Sequence, residues 1–97
     1  MKQFIIEIIY QAEPEEIAKV RDEHRKYLQT GYEKGLILMS GPQVPQIGGL
    51  VVMKGNSMEE IHDFFANDPY NLAGLTKYLY FEFEPVMHQE FMKNWIS

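Results

Sequence analysis

The sequence contains no cysteine, which excludes disulfides, thiolate nucleophiles and cysteine-based metal centres and suits a reducing cytoplasm. Basic residues are in the minority, nine Lys and Arg against fourteen Asp and Glu for a net charge of -5. Only Lys19, Arg21, Arg25 and Lys26 lie close together, whereas a nucleic-acid surface needs a basic face, so no nucleic-acid partner is expected. No apolar run approaches the roughly 20 residues of a membrane-spanning helix, so no membrane partner is expected either. The opening Met1-Lys2-Gln3-Phe4-Ile5-Ile6 carries one basic residue, is interrupted by Glu7 and lacks a small-residue cleavage site. It predicts a first strand rather than a signal peptide. There is no repeat, linker or low-complexity stretch, and residues 1–97 are expected to form a single domain.

What is present suits a packed core: 45% hydrophobic residues, with six Phe, six Tyr and one Trp. Residues 2–11 are rich in β-branched and aromatic side chains and predict a strand. Pro14 at a first helical position, followed by Glu15 and Glu16, opens a helix that runs to about Lys34 and stops at Gly35. Leu36–Ser40 predicts a short strand, 41–48 a loop with two prolines, and Gly49–Lys54 another strand. Ser57 and Glu60 form a capping box for a second helix ending near Ala66. Asp68 then caps a short helical turn that begins with Pro69. Lys77–Val86 predicts the last strand and His88–Trp95 a terminal helix.

The order β-α-β-β-α-β, with a hairpin in the middle, predicts a ferredoxin-like α+β fold: a four-stranded antiparallel sheet backed by two helices. Such a sheet should alternate apolar and polar residues, and these strands do not. Phe4, Ile6, Ile8 and Tyr10 share one face of the first strand, yet Ile5 and Ile9 lie on the other. Two apolar faces need two covers, and a second copy of the chain is the expected cover for the face without helices.

Along the first helix Ile17, Val20, His24, Tyr27, Leu28 and Gly31 keep the spacing of one buried stripe. His24 is therefore either a core histidine held by a backbone or tyrosine partner, or one half of an acid–base site with a carboxylate beside it. Asp68, forty-four positions on, is the candidate partner. It equally suits an N-cap for the Pro69–Gly74 turn, and a carboxylate with two oxygens can do both. Tyr70 is packing or a pocket wall. Arg21, one turn before His24, either binds a substrate carboxylate or phenolate or pairs with an acid on the helix surface. Ser40 has no nucleophile elbow around it and is expected as a pocket hydroxyl. Glu82 and Glu84, with Tyr78 and Tyr80, are expected on a solvated strand face. Gly48-Gly49 lacks the Lys-Ser/Thr of a phosphate loop. His24, His62 and His88 sit on separate elements without ligand spacing, so neither a metal nor another cofactor is expected.

Arg21-x-x-His24-x-x-Tyr27-Leu28, Gly35-Leu36-Ile37, Ser40-Gly41-Pro42, Gly49-x-Val51, and Asp68-Pro69-Tyr70 with Ala73-Gly74-Leu75 stand in an order that resembles the YciI-like (YCII-related) family of small bacterial proteins. The resemblance covers about residues 3–87. It implies a dimeric α+β barrel and a pocket in which the family's catalytic histidine and aspartate are matched by His24 and Asp68. One branch of the family is similar to dehydrochlorinases of chlorinated hydroxyhydroquinones, and related barrels include muconolactone isomerases. The expectation is a small cytoplasmic enzyme doing lyase- or isomerase-type general acid–base chemistry on a small cyclic or phenolic molecule, without a cofactor. Two alternatives stand beside it. One is a non-catalytic small-ligand-binding or accessory protein. The other is a haem or monooxygenase-type barrel with His24 or His88 as axial ligand.

Overall fold

Phe4, Ile6 and Ile8 are all buried along strand β1 (Lys2–Tyr10), because their face of the sheet carries the helices. The computed structural model describes residues 1–97. Helix α1 (Pro14–Glu33) follows β1, then strands β2 (Ile37–Pro42) and β3 (Gly48–Gly55), helix α2 (Met58–Ala66), the short helix α3 (Pro69–Leu72) and strand β4 (Thr76–Phe83). A 3-10 turn (Glu90–Met92) and a last helical turn α4 (Lys93–Ile96) form the tail, where the sequence predicts one helix. The four strands run in the order β2-β3-β1-β4, every pair antiparallel, which is the predicted ferredoxin-like arrangement.

Local chemistry explains the boundaries. After α1, Leu36 N–H donates to Gly31 O and Gly35 N–H to Tyr32 O, with Gly35 at a φ of 71°, so the helix closes in a Schellman turn. That closure holds Leu36 outside β2. Gly41 and Pro42, expected in the loop, instead pair with Leu50 and Gly49, because β2 is an edge strand and a proline there forfeits no ladder bond on its open side. β4 stops at Phe83, opposite Gln3, two residues before Pro85, which has no N–H to give. At α2, Ser57 accepts from Glu60 N–H as expected, while the Glu60 carboxylate reaches back to Asn56 N–H, one residue earlier than a standard capping box.

The core lies between the helices and the inner sheet face, where Phe4, Ile6, Val51 and Met53 meet Ile17, Ile61 and Phe65. Tyr78 and Tyr80 belong to this face, opposite Ile8 and Ile6, and pack against Phe65. This corrects the expectation of a solvated face for them; only Glu82 and Glu84 remain exposed there. Leu79 and Phe81 alternate with the two tyrosines, so both faces of β4 are apolar, and its register with β1 selects the tyrosines for the core.

The outer face presents Met39, Leu50, Leu79, Phe81 and Phe83 exposed, around Ile5 and Val52. One end of it is covered by the tail: Trp95 Nε1–H donates to Gln3 Oε1 at 2.8 Å, and Lys54 Nζ stands 4.2 Å above the indole ring.

Candidate active site

Asp68 is fully buried between α2 and α3, and three donors compensate for its burial. As the N-cap of α3 it accepts Tyr70 N–H at Oδ1 (3.1 Å). The same oxygen lies 2.7 Å from His24 Nδ1, and Oδ2 accepts from the Tyr78 hydroxyl at 2.8 Å. Capping and pairing thus coexist. A carboxylate ringed by donors can only accept, so Nδ1 of His24 carries the proton and Nε2 is left with its lone pair. Nε2 has no partner within the protein and is not sealed from solvent.

The imidazole leans on Tyr70, the two rings stacked with centroids 4.0 Å apart and planes 16° apart, and Tyr10 meets Tyr70 edge-on. Tyr70 therefore fixes the histidine ring and walls the space beside it. Burial above all, and then the neighbouring Tyr10 hydroxyl, pushes the Tyr70 hydroxyl up to about 12, against the opposite pull of the Arg21 guanidinium. Burial also pushes Tyr78 well above the usual tyrosine range; the Thr76 hydroxyl, donating to it at 3.0 Å, opposes this, and the Asp68 charge adds to it. Tyr78 is neutral throughout the physiological range and donates its proton to Asp68.

His24 opens onto a cavity of about 310 Å³ between α1 and the β2–β3 end of the sheet. Arg21, Arg25 and Tyr70 line it from the helical side, and Ser40 and Val51 from the sheet. Ser40 shares a hydrogen bond of 2.7 Å with the Tyr32 hydroxyl, not with a base, so it is a pocket hydroxyl and not an activated nucleophile. Arg21 forms no ion pair: the pairs present are Lys19–Glu16 and His24–Asp68. Its surface-pairing alternative is therefore not what the fold uses. All five residues singled out in the sequence, Arg21, His24, Ser40, Asp68 and Tyr70, converge here, four on the cavity and Asp68 behind His24.

His62 is exposed beside Tyr80, and His88 lies in the exposed tail; both are away from the cavity. No group of three or more His, Asp or Glu side chains converges anywhere. The sequence reading missed Tyr78, Thr76 and Arg25. Strand pairing is the signal that reveals Tyr78, because it aligns with Ile8 on the inner face. Arg25 is one residue past His24 and outside the buried stripe, so helical periodicity gives it no role.

The family model of the YCII-related domain matches residues 1–84. A search of the curated proteins finds no match. Among solved structures, the chain is similar to 5-chloro-2-hydroxyhydroquinone dehydrochlorinase (TftG) from Burkholderia phenoliruptrix AC1100, in complex with 2,5-dihydroxybenzoquinone. The TM-score is 0.74 at 22% identity, over 92% of this chain and 97% of that one, a likeness of fold.

Proposed function

The chain belongs to the YCII-related domain family, and we propose that it is an enzyme whose His24 serves as general base and acid on a small oxygenated ring. The observation that carries this reading is the 2.7 Å bond between His24 Nδ1 and the buried Asp68 carboxylate, with Nε2 left unpartnered at the cavity wall. Asp68 fixes the tautomer and, with the Tyr70 ring, the plane of the imidazole. Nε2 takes a proton from a carbon or hydroxyl of the substrate, and the imidazolium formed beside Asp68 is stabilised by the carboxylate charge. In an elimination the freed electron pair forms the new double bond while the leaving group departs with its bonding pair. In an isomerisation the imidazolium returns the proton to a different atom. Arg21 is suited to hold an anionic oxygen of the substrate, carboxylate or phenolate, with the Ser40 hydroxyl as a further polar contact from the sheet.

The similar fold of TftG, a dehydrochlorinase bound to 2,5-dihydroxybenzoquinone, supports a substrate of this class. The cavity, about 310 Å³, is at the small end of ligand pockets and suits a single substituted ring. The proposal includes a homodimer packed through the outer sheet face, supported by the exposed row Leu50, Leu79, Phe81 and Phe83. It also includes a cytoplasmic location, with which a chain without cysteine is compatible; no helix is long and apolar enough to cross a membrane.

The test is turnover of chlorinated hydroxyhydroquinones, followed by chloride release, and of small cyclic enols, followed by proton–deuterium exchange. The wild type should act on at least one class, and His24→Ala should lose roughly 10²–10⁴ of the rate while staying folded. Full activity in His24→Ala would overturn the assignment.

A further inference from the structure

The cavity is positively charged in a protein whose net charge is -5. Arg21 and Arg25, one helical turn apart on α1, both line it, and no Asp or Glu does. Neither guanidinium has a carboxylate within ion-pair distance, although fourteen acidic residues are available in the chain. The carboxylate of Asp68 is sealed behind His24 with both oxygens already engaged. Two unpaired guanidiniums at the rim of one small cavity, flanking a histidine, form a site of defined sign and geometry. Arginine forks match a planar carboxylate through paired N–H···O bonds, and the match gains strength where the cavity walls exclude water.

We propose that this cavity takes its substrate as a carboxylate: a small ring whose carboxylate group is held by Arg21 and Arg25 while the ring lies toward His24 Nε2. Spacing supports the division of labour. Arg21 precedes His24 by three residues and Arg25 follows it by one, so the anion is bound along α1 and the reacting atoms face the imidazole. The Tyr70 hydroxyl, neutral at physiological pH, lies beside Arg21. The proposal rests on the acid–base reading of His24 for the orientation of the ring, but not for the binding of the carboxylate.

The experiment compares 2,5-dihydroxybenzoate with its methyl ester, the same ring without the charge, by titration calorimetry. Wild-type protein should bind the acid about tenfold or more tightly than the ester, equivalent to about 1.4 kcal/mol, and the advantage should shrink as salt is raised. Arg25→Gln and Arg21→Gln should each remove most of the preference, while Arg25→Lys, which keeps the charge but not the fork, should restore part of it. Circular dichroism confirms that each variant is folded. His24→Ala should keep the preference for the acid whatever it does to turnover, so failure of the carboxylate site and failure of the acid–base reading give different results. Equal binding of acid and ester, a preference that survives both Arg→Gln changes, or no binding of either compound would overturn the proposal.

Discussion

Tyr78 donates its hydroxyl proton to Oδ2 of Asp68 at 2.8 Å, while His24 takes Oδ1 of the same carboxylate. The buried acid is thereby held from two sides, by a strand on one and a helix on the other. Thr76 in turn donates to the Tyr78 oxygen. The histidine is the cavity end of a chain of hydrogen bonds that begins on β4.

Replacing Tyr78 by Phe removes one of the three donors to Asp68 and leaves Oδ2 without a protein partner. The expected loss is about 1–3 kcal/mol of stability, read as a lower urea midpoint at unchanged slope. Activity should fall as well, since the carboxylate is then free to rotate. An unchanged midpoint would mean that water replaces the hydroxyl without cost.

Asp68→Asn and Asp68→Ala should separate structure from chemistry. Asn can still accept from Tyr70 N–H and His24 Nδ1–H, and should fold with a modest loss; Ala leaves three buried donors unpaired and should be far less stable. Turnover should drop in both, because neither stabilises the imidazolium. If Asn retained wild-type rates, Asp68 would be a cap alone.

At high pH the tyrosines govern stability. The Tyr70 hydroxyl is raised from 10.0 to about 12 in the folded protein, so the native state holds this proton more tightly than the unfolded chain does. Its contribution is complete below about pH 10 and is lost as pH rises toward 12. Tyrosinate absorbance should show a late-ionising fraction that appears together with unfolding. Tyr70→Phe should make the decline of stability across this range shallower.

Gly48 should tolerate no side chain. A Cβ there would lie 1.8 Å from the Ile8 carbonyl oxygen, which is backbone and cannot swing aside. Gly48→Ala should destabilise by about 1–3 kcal/mol or more through separation of β1 from β3. Thermal melting of the variant measures this, and an unaltered melting temperature would contradict the close approach.

On the outer face, Phe81→Lys places a charge among the exposed apolar side chains. If two copies pair there, ultracentrifugation at low micromolar concentration should give a dimer for the wild type and a monomer for the variant. A monomeric wild type would remove the dimer from the proposed function.

Much of the fold could be read along the chain, because its determinants are local. Pro14 opens the first helix through its fixed φ, whereas Gly35 ends it, Ser57 opens the second and Asp68 opens the third through hydrogen bonds within a few residues. The ends of β2 and β4 are less legible, since they depend on pairing with strands distant in the chain. The tail's sequence predicts one helix, whereas Trp95 is held by contacts to Gln3 and Lys54, far away in sequence.

The same division runs through the site. Sequence by itself determined that His24 faces the interior, that Asp68 caps a turn, and that both faces of the sheet are apolar, because periodicity and capping are properties of neighbouring residues. Only the tertiary structure decided that the histidine meets the aspartate, that Tyr78 backs it, and that Arg21 and Arg25 share a cavity with no acid. Those relationships depend on strand register and helix packing, which bring His24 and Tyr78 to the two oxygens of one carboxylate, and on burial, which makes a 2.7 Å contact between a histidine and a carboxylate matter.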